Sequence, residues 1–236
     1  MKLSILPLFV MFIFLFCMVI TRKARMNASI SEAEERSVYT LLFMFFAWTM
    51  VVIVMGLQGT HIAFMQTIPL LWQAFVPVIM WGTAFLLSSS LRNGLIGIAI
   101  STPLHWLIFF QALRLGALGG IIKGVQGEIS SDYVYWIGIP DFIFGLSALI
   151  IGLVLLRKKI SFRFLAAWNI LGFSLIFFPT FVVMNYWMNE PGFVFIFEYP
   201  MVLAPSIVVP MFISINLLHA WGMLEKEKRS KVAEYE

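Results

Sequence analysis

The chain has 236 residues, of which 61% are apolar and only 12% charged, with 24 Phe and 14 Met. A soluble domain carries about twice that charged fraction, and the apolar residues here gather in blocks of about 20, the length that crosses a bilayer as a helix. The net charge of +4 sits in short segments between those blocks, which argues against a nucleic-acid-binding surface, and the single cysteine, Cys17, excludes an internal disulfide.

The first apolar block, 3–20, is preceded by Lys2 alone and followed by Arg22, Lys23 and Arg25. A cleaved signal peptide has a basic start and a small-residue cleavage site after its apolar run. This segment has the opposite charge bias, so it predicts an uncleaved span with its N-terminus outside. In the polar stretch that follows, Ser31 with Glu34 three residues on has the pattern of a capped helix start. The second span is predicted over 37–57 and the third over 68–87, with Gln73 and Pro77 inside it. Residues 88–93 are predicted as a loop. The fourth span, 95–116, contains Pro103, His105, Gln111 and Arg114. The Gly-rich segment 117–132 has the composition of an outer loop or a short interfacial helix. The fifth span, 133–156, is almost unbroken apolar sequence with one carboxylate, Asp141, directly after Pro140. The sixth, 164–184, carries Asn169 and Pro179. The seventh, 201–224, carries Pro205, Pro210, Asn216 and His219, and 225–236 is a charged tail.

Thirteen of the 16 Lys and Arg residues fall in 21–36, 88–93, 157–163 and 225–236. Positive charge in short loops marks the cytoplasmic side. The expected fold is therefore all-α: one polytopic bundle of seven transmembrane helices, N-terminus out and C-terminus in, multi-pass in the cell (plasma or inner) membrane. Tyr133, Tyr135, Trp136, Tyr186 and Trp187 fall at the predicted outer interface, where amphipathic rings anchor helices.

Within the fifth span, Gly138, Asp141, Gly145, Ala148 and Gly152 recur at helical spacing. Small residues let helix backbones approach closely in lipid, so the acid is expected on a packed face, and an ionisable group there needs a partner or a task. Arg114, near the outer end of the fourth span, is the partner at matching depth, with Gln111 one turn before it on the same face. Mid-span His105 and inner-third His219 are expected at different depths, which disfavours bis-histidine haem; no cofactor and no metal site is expected. The seventh span has no lysine to carry a retinal Schiff base. HExxH, P-loop and dinucleotide-binding patterns are absent from the sequence, and no catalytic residue is assigned.

At RLGALGG (114–120) and GIPDFIFGLSA (138–148) the sequence resembles a widespread group of bacterial multi-pass integral membrane proteins of about seven helices. In that group an arginine followed by glycine is succeeded by a Gly-x-Gly-Asp motif; here Pro140 stands in place of the second glycine. The resemblance implies that Arg114 and Asp141 form one unit. The expected function is binding or moving a small or lipid-like ligand through an outward-facing pocket, with Gln73, Gln111, Arg114 and Asp141 as polar lining. His105, Asn169, Asn216 and His219 are secondary candidates. The alternative is a structural or accessory subunit in which Arg114–Asp141 docks helices. An intramembrane enzyme is disfavoured, because an arginine beside the only suitable carboxylate makes it a poor base.

Overall fold

Helix boundaries follow the residues that can satisfy free backbone groups at helix ends. The computed structural model describes residues 4–67, 72–183, 193 and 196–233. Helix α1 (Leu6–Met26) is followed by α2 (Glu32–Leu57), whose start is the expected capping box. The Ser31 hydroxyl accepts from the Glu34 amide at 3.3 Å, and the Ser31 amide donates to the Glu34 carboxylate at 2.6 Å. Next come α3 (Thr60–Thr67), α4 (Trp72–Leu87), α5 (Ser89–Ser101) and α6 (Leu104–Gln111). A 3-10 turn, Ala112–Ala117, joins α6 to α7 (Leu118–Val125). Then follow α8 (Ser131–Leu155), α9 (Phe162–Phe178) and α10 (Val209–Ala233). No strand occurs among the described residues.

Among the described residues six segments, α1, α2, α6–α7, α8, α9 and α10, are long and apolar enough to cross a membrane, and the bent pair α4–α5 makes a seventh if counted as one. Their outer surfaces agree: Phe43, Leu57, Leu86 and Ile150 are each more than half exposed, an arrangement that a water-facing surface does not sustain over a whole bundle. Within its apolar window α10 is 67% buried against 28% for α1 and for α2, so α10 is the central helix.

The stretch expected as one span over 95–116 differs. Pro103 has no N–H and forces Thr102 into extended backbone, so α5 ends at Ser101 and α6 begins afresh at Leu104. The expected loop 88–93 is helical because Ser88 caps it, its hydroxyl accepting from the Leu91 amide at 3.1 Å. Arg92 folds back to donate to the carbonyls of Phe85 (2.9 Å) and Leu86 (2.7 Å), closing α4 where the axis turns by 105°. In the segment expected as a loop or interfacial helix, 118–125 is helical and continues α6. Residues 68–71 of the third expected span, residue 184 of the sixth, and the Tyr186 and Trp187 anchors lie outside the described residues.

Contacts define two ends. At one, α5 lies against 29–34 and against Gly222 of α10, Lys226 donates to the Thr102 carbonyl, and Arg163 pairs with Glu227. Arg22 and Arg25 share Glu35 there, and Lys23 sits over the Trp106 ring. This end gathers the basic segments. The other end holds the start of α1, α7, the start of α8 and residues 199–204.

Two helices reach that second end through the same device. In α8 the Ile139 amide bonds to the Val134 carbonyl, and before α10 the Val209 amide bonds to the Ala204 carbonyl, each a widened π-turn directly followed by proline. The wide turn makes room for the rings of Pro140 and Pro210 and leaves a carbonyl four residues back without its donor. For Pro210 that carbonyl is Ser206, and the Trp48 indole N–H donates to it at 3.3 Å.

The small-residue face of α8 packs as its spacing predicts. A Cβ on Gly145 would lie 2.6 Å from the Leu115 nitrogen and 2.9 Å from the Arg114 carbonyl carbon, one on Gly152 would lie 2.5 Å from the Phe109 ring, and Ala148 is fully buried. Gly145→Ala therefore forces backbone apart and is expected to cost about 1–3 kcal/mol, read as a lower Tm in detergent. Gly82→Ala, with nothing within 4 Å, is the control and is expected to hold or raise Tm, since alanine is the better helix former.

Candidate functional site

Arg114 projects from the 3-10 turn after α6 with its side chain fully buried. A guanidinium taken out of water must meet acceptors on every side, and three elements supply them. Its Nε donates to Asp141 Oδ1 on α8 at 2.6 Å, with Nη2 2.5 Å from the same oxygen. Its Nη1 donates to the Gly172 carbonyl on α9 at 3.2 Å. Its plane lies over the Phe144 ring, 4.1 Å from the centroid, a cation–π contact. Phe144 in turn stacks on Trp168 at 4.2 Å, and the Trp168 N–H donates to the Ser147 hydroxyl at 3.1 Å. Gly172 is indispensable to this stack: a Cβ there would lie 2.2 Å from the Phe144 ring.

On the far side of the pair is a cavity of about 300 Å3 at the end of the bundle opposite the basic segments. The Asp141 side chain is 25% exposed and faces it. Its walls come from Ser4 to Phe9 of α1, Gly116, Gly119 and Gly120, Tyr133 and Ile137 of α8, and the start of α10; Lys123 lies on its rim, half-buried. A larger groove, about 640 Å3, runs between α1 and α2, but its lining is Phe, Met, Leu and Ile with only Tyr39 and Thr49 polar. The cavity beside the ion pair combines apolar walls with a buried Arg–Asp pair and a half-buried lysine, the mix of apolar lining and few polar groups typical of a ligand site.

Four polar residues named from the sequence thus separate into two groups. Arg114 and Asp141 meet and border the cavity. Gln73 on α4 and Gln111 at the end of α6 are fully buried elsewhere, and their amides have no hydrogen-bond partner among the described residues. Asn169 is buried with its amide donating to the Leu165 carbonyl at 2.8 Å. Asn216 and His219 are buried on α10 without partners among the described residues. His105, expected mid-span, is in the first turn of α6 near the basic end, because Pro103 restarts the helix there; its ring contacts Phe109. No group of three His, Cys, Asp or Glu placed to hold a metal occurs among the described residues.

Three contributors were not singled out in the sequence as site residues. Phe144 was legible, since it lies one turn beyond Asp141 on the same face. Tyr133 was assigned to interfacial anchoring but lines the cavity. Lys123 gave no signal beyond its isolation on the less basic side.

Length, apolarity and topology place the chain in the class of multi-pass helical membrane proteins. Comparison with protein-family models, curated proteins and solved structures gives no significant match.

Arg114→Lys keeps the charge but loses the planar fork that reaches Asp141 and Gly172 while stacking on Phe144. The expected result is a loss of about 1–3 kcal/mol, seen as a lower Tm, with a further drop when Phe144→Leu is added to wild type and a smaller one when it is added to Arg114→Lys.

Proposed function

We propose that the protein binds a small or lipid-like ligand in the cavity beside Arg114 and Asp141, oriented with the N-terminus outside and the basic end in the cytoplasm of the cell membrane. The basic end carries the segments 21–36, 88–93, 157–163 and 225–233 together, which supports that orientation. The observation that carries the binding reading is the wall built of Gly116, Gly119 and Gly120. A Cβ on Gly119 would meet nothing within 4 Å, and one on Gly116 would meet only the Phe9 ring at 3.6 Å. Gly116 and Gly119 leave space that the fold does not fill, next to the partly open carboxylate, while a Cβ on Gly120 would meet the Tyr133 ring at 3.2 Å.

That same emptiness supplies the experiment. Gly119→Trp starts a large side chain at a position where a Cβ meets nothing within 4 Å, so it is expected to take up cavity space, with Tm held and occupancy reduced. Native mass spectrometry of the purified protein with phosphatidylcholine is expected to show one retained adduct on wild type and loss of that adduct in Gly119→Trp. An unchanged adduct in a folded variant rejects the cavity as the binding site.

A second reading has its own support in the tight Gly145 contact and in the way Arg114 ties α6, α8 and α9 together: the pair is a docking device for a structural or accessory subunit. Removing one partner of a buried ion pair costs about 3–5 kcal/mol, while replacing both can be nearly neutral. On this reading Asp141→Asn and Arg114→Gln each lower Tm sharply, and the double variant recovers most of it with the phosphatidylcholine adduct intact. On the binding reading the double variant loses the adduct even where it folds.

A further inference from the structure

We infer that the cavity takes an anionic phospholipid, with its headgroup held at Lys123; this inference rests on the cavity being a binding site. The charges around the cavity decide its preference. Arg114 and Asp141 cancel at its floor, 2.5–2.6 Å apart. Lys123, on its rim, forms no ion pair among the described residues, so among the described lining residues it is the positive charge left uncompensated. An occupant with a single negative charge neutralises it, and a zwitterionic one does not.

The shape of the site narrows the occupant further. About 300 Å3 is the lower end of the range for ligand pockets, about 300–1,000 Å3, enough for a headgroup and its glycerol but not for two acyl chains. The chains need a way out, and the walls provide one. Helix α1 packs mainly against α2, α5 and the turn at Ala204–Val208 before α10, and its N-cap residue Ile5, on the cavity wall, is 70% exposed. Opposite it, Gly119 is exposed, and Leu118 and Ile122 of α7 present apolar side chains outward. Exposed apolar side chains at the start of α1 and on α7 thus border the cavity, a surface that acyl chains can cover. A ligand supplied from water would meet that apolar rim, whereas a lipid already in the leaflet slides its headgroup in from the side. Electrostatic attraction of an anionic headgroup to one lysine near the membrane surface amounts to about a fivefold preference.

The test compares phosphatidylglycerol with phosphatidylcholine of the same acyl chains, by native mass spectrometry at equal concentration, on wild type, Lys123→Gln and Gly119→Trp, with Tm recorded for each. Wild type is expected to retain phosphatidylglycerol about fivefold more tightly, Lys123→Gln to bring that ratio to about one, and Gly119→Trp to lose both adducts. Equal retention by wild type, or a preference that survives Lys123→Gln, overturns the inference while leaving the cavity a binding site. Retention of both adducts by folded Gly119→Trp shows that the cavity itself is not the site. A laurate arm separates the source: capture of laurate without phosphatidylglycerol means a free fatty acid, and overturns the assignment to a membrane phospholipid.

Discussion

A guanidinium buried in an apolar bundle cannot be left with an open side, and the placement of Arg114 constrains three helices at once. It needs Asp141 from α8, the Gly172 carbonyl from α9 and the Phe144 face. Each requirement propagates. For Asp141 to reach Nε, α8 must approach the turn after α6 until Gly145 touches backbone, which only a residue without Cβ allows. For Phe144 to lie under the guanidinium, α9 must carry glycine where the ring passes. The glycines at 145 and 172 are thus consequences of one buried charge and its ring neighbour. A buried ion pair gives little net stability over an apolar substitute but strongly penalises arrangements that separate it, so its value here is in fixing which faces of α6, α8 and α9 meet.

The central helix presents the opposite situation. Asn216 and His219 on α10, Gln111 on α6 and Gln73 on α4 are buried without partners among the described residues, and each such group forfeits about 1–3 kcal/mol relative to a satisfied one. The bundle tolerates this because its packing is otherwise dense around α10, with Phe212, Met211, Ile213 and Leu203 in one continuous apolar cluster. Most of that cost falls in the core; at the cavity Arg114 is ion-paired with Asp141, though its Nη2 makes no hydrogen bond among the described residues, and Lys123 is half-exposed at the rim.

Much of this was legible in the sequence where a local rule acts alone. The seven-residue rhythm of small side chains placed Asp141 on a packed face, Ser31 with Glu34 gave the start of α2, and depth matched Arg114 to Asp141. Legibility failed where two local signals competed. Pro103 lay inside an apolar run long enough for one span, and hydropathy hid the break that the proline imposes; His105 consequently moved from the middle of a span to the first turn of a new helix. Gln111 shares a face with Arg114, yet that face meets the protein interior at Gln111 and borders the cavity only at Arg114. Depth along a helix was readable, but which neighbour covers each turn was not, because that depends on the angle at which α8 and α9 cross it.

The two prolines that follow π-turns connect the ion pair to the cavity. A regular α-helix through Val134–Gly138 would put the ring of Pro140 against the Trp136 carbonyl; the extra residue in the turn relieves that clash and advances the helix surface by one position. Ile137 and Tyr133, which belong to or abut that wide turn, thereby face the cavity together with Asp141 one turn further on. Across from them the turn at Ala204–Val208 does the same, bringing Ala204 and Val208 to the opposite wall. The cavity is therefore bounded on two sides by widened backbone, and its volume is set by where the prolines fall as much as by the small size of Gly116, Gly119 and Gly120. Proline-driven widening at one end, with close glycine packing below it, gives a bundle that is tight around Arg114 and open directly above it, which is the geometry a headgroup-sized site requires.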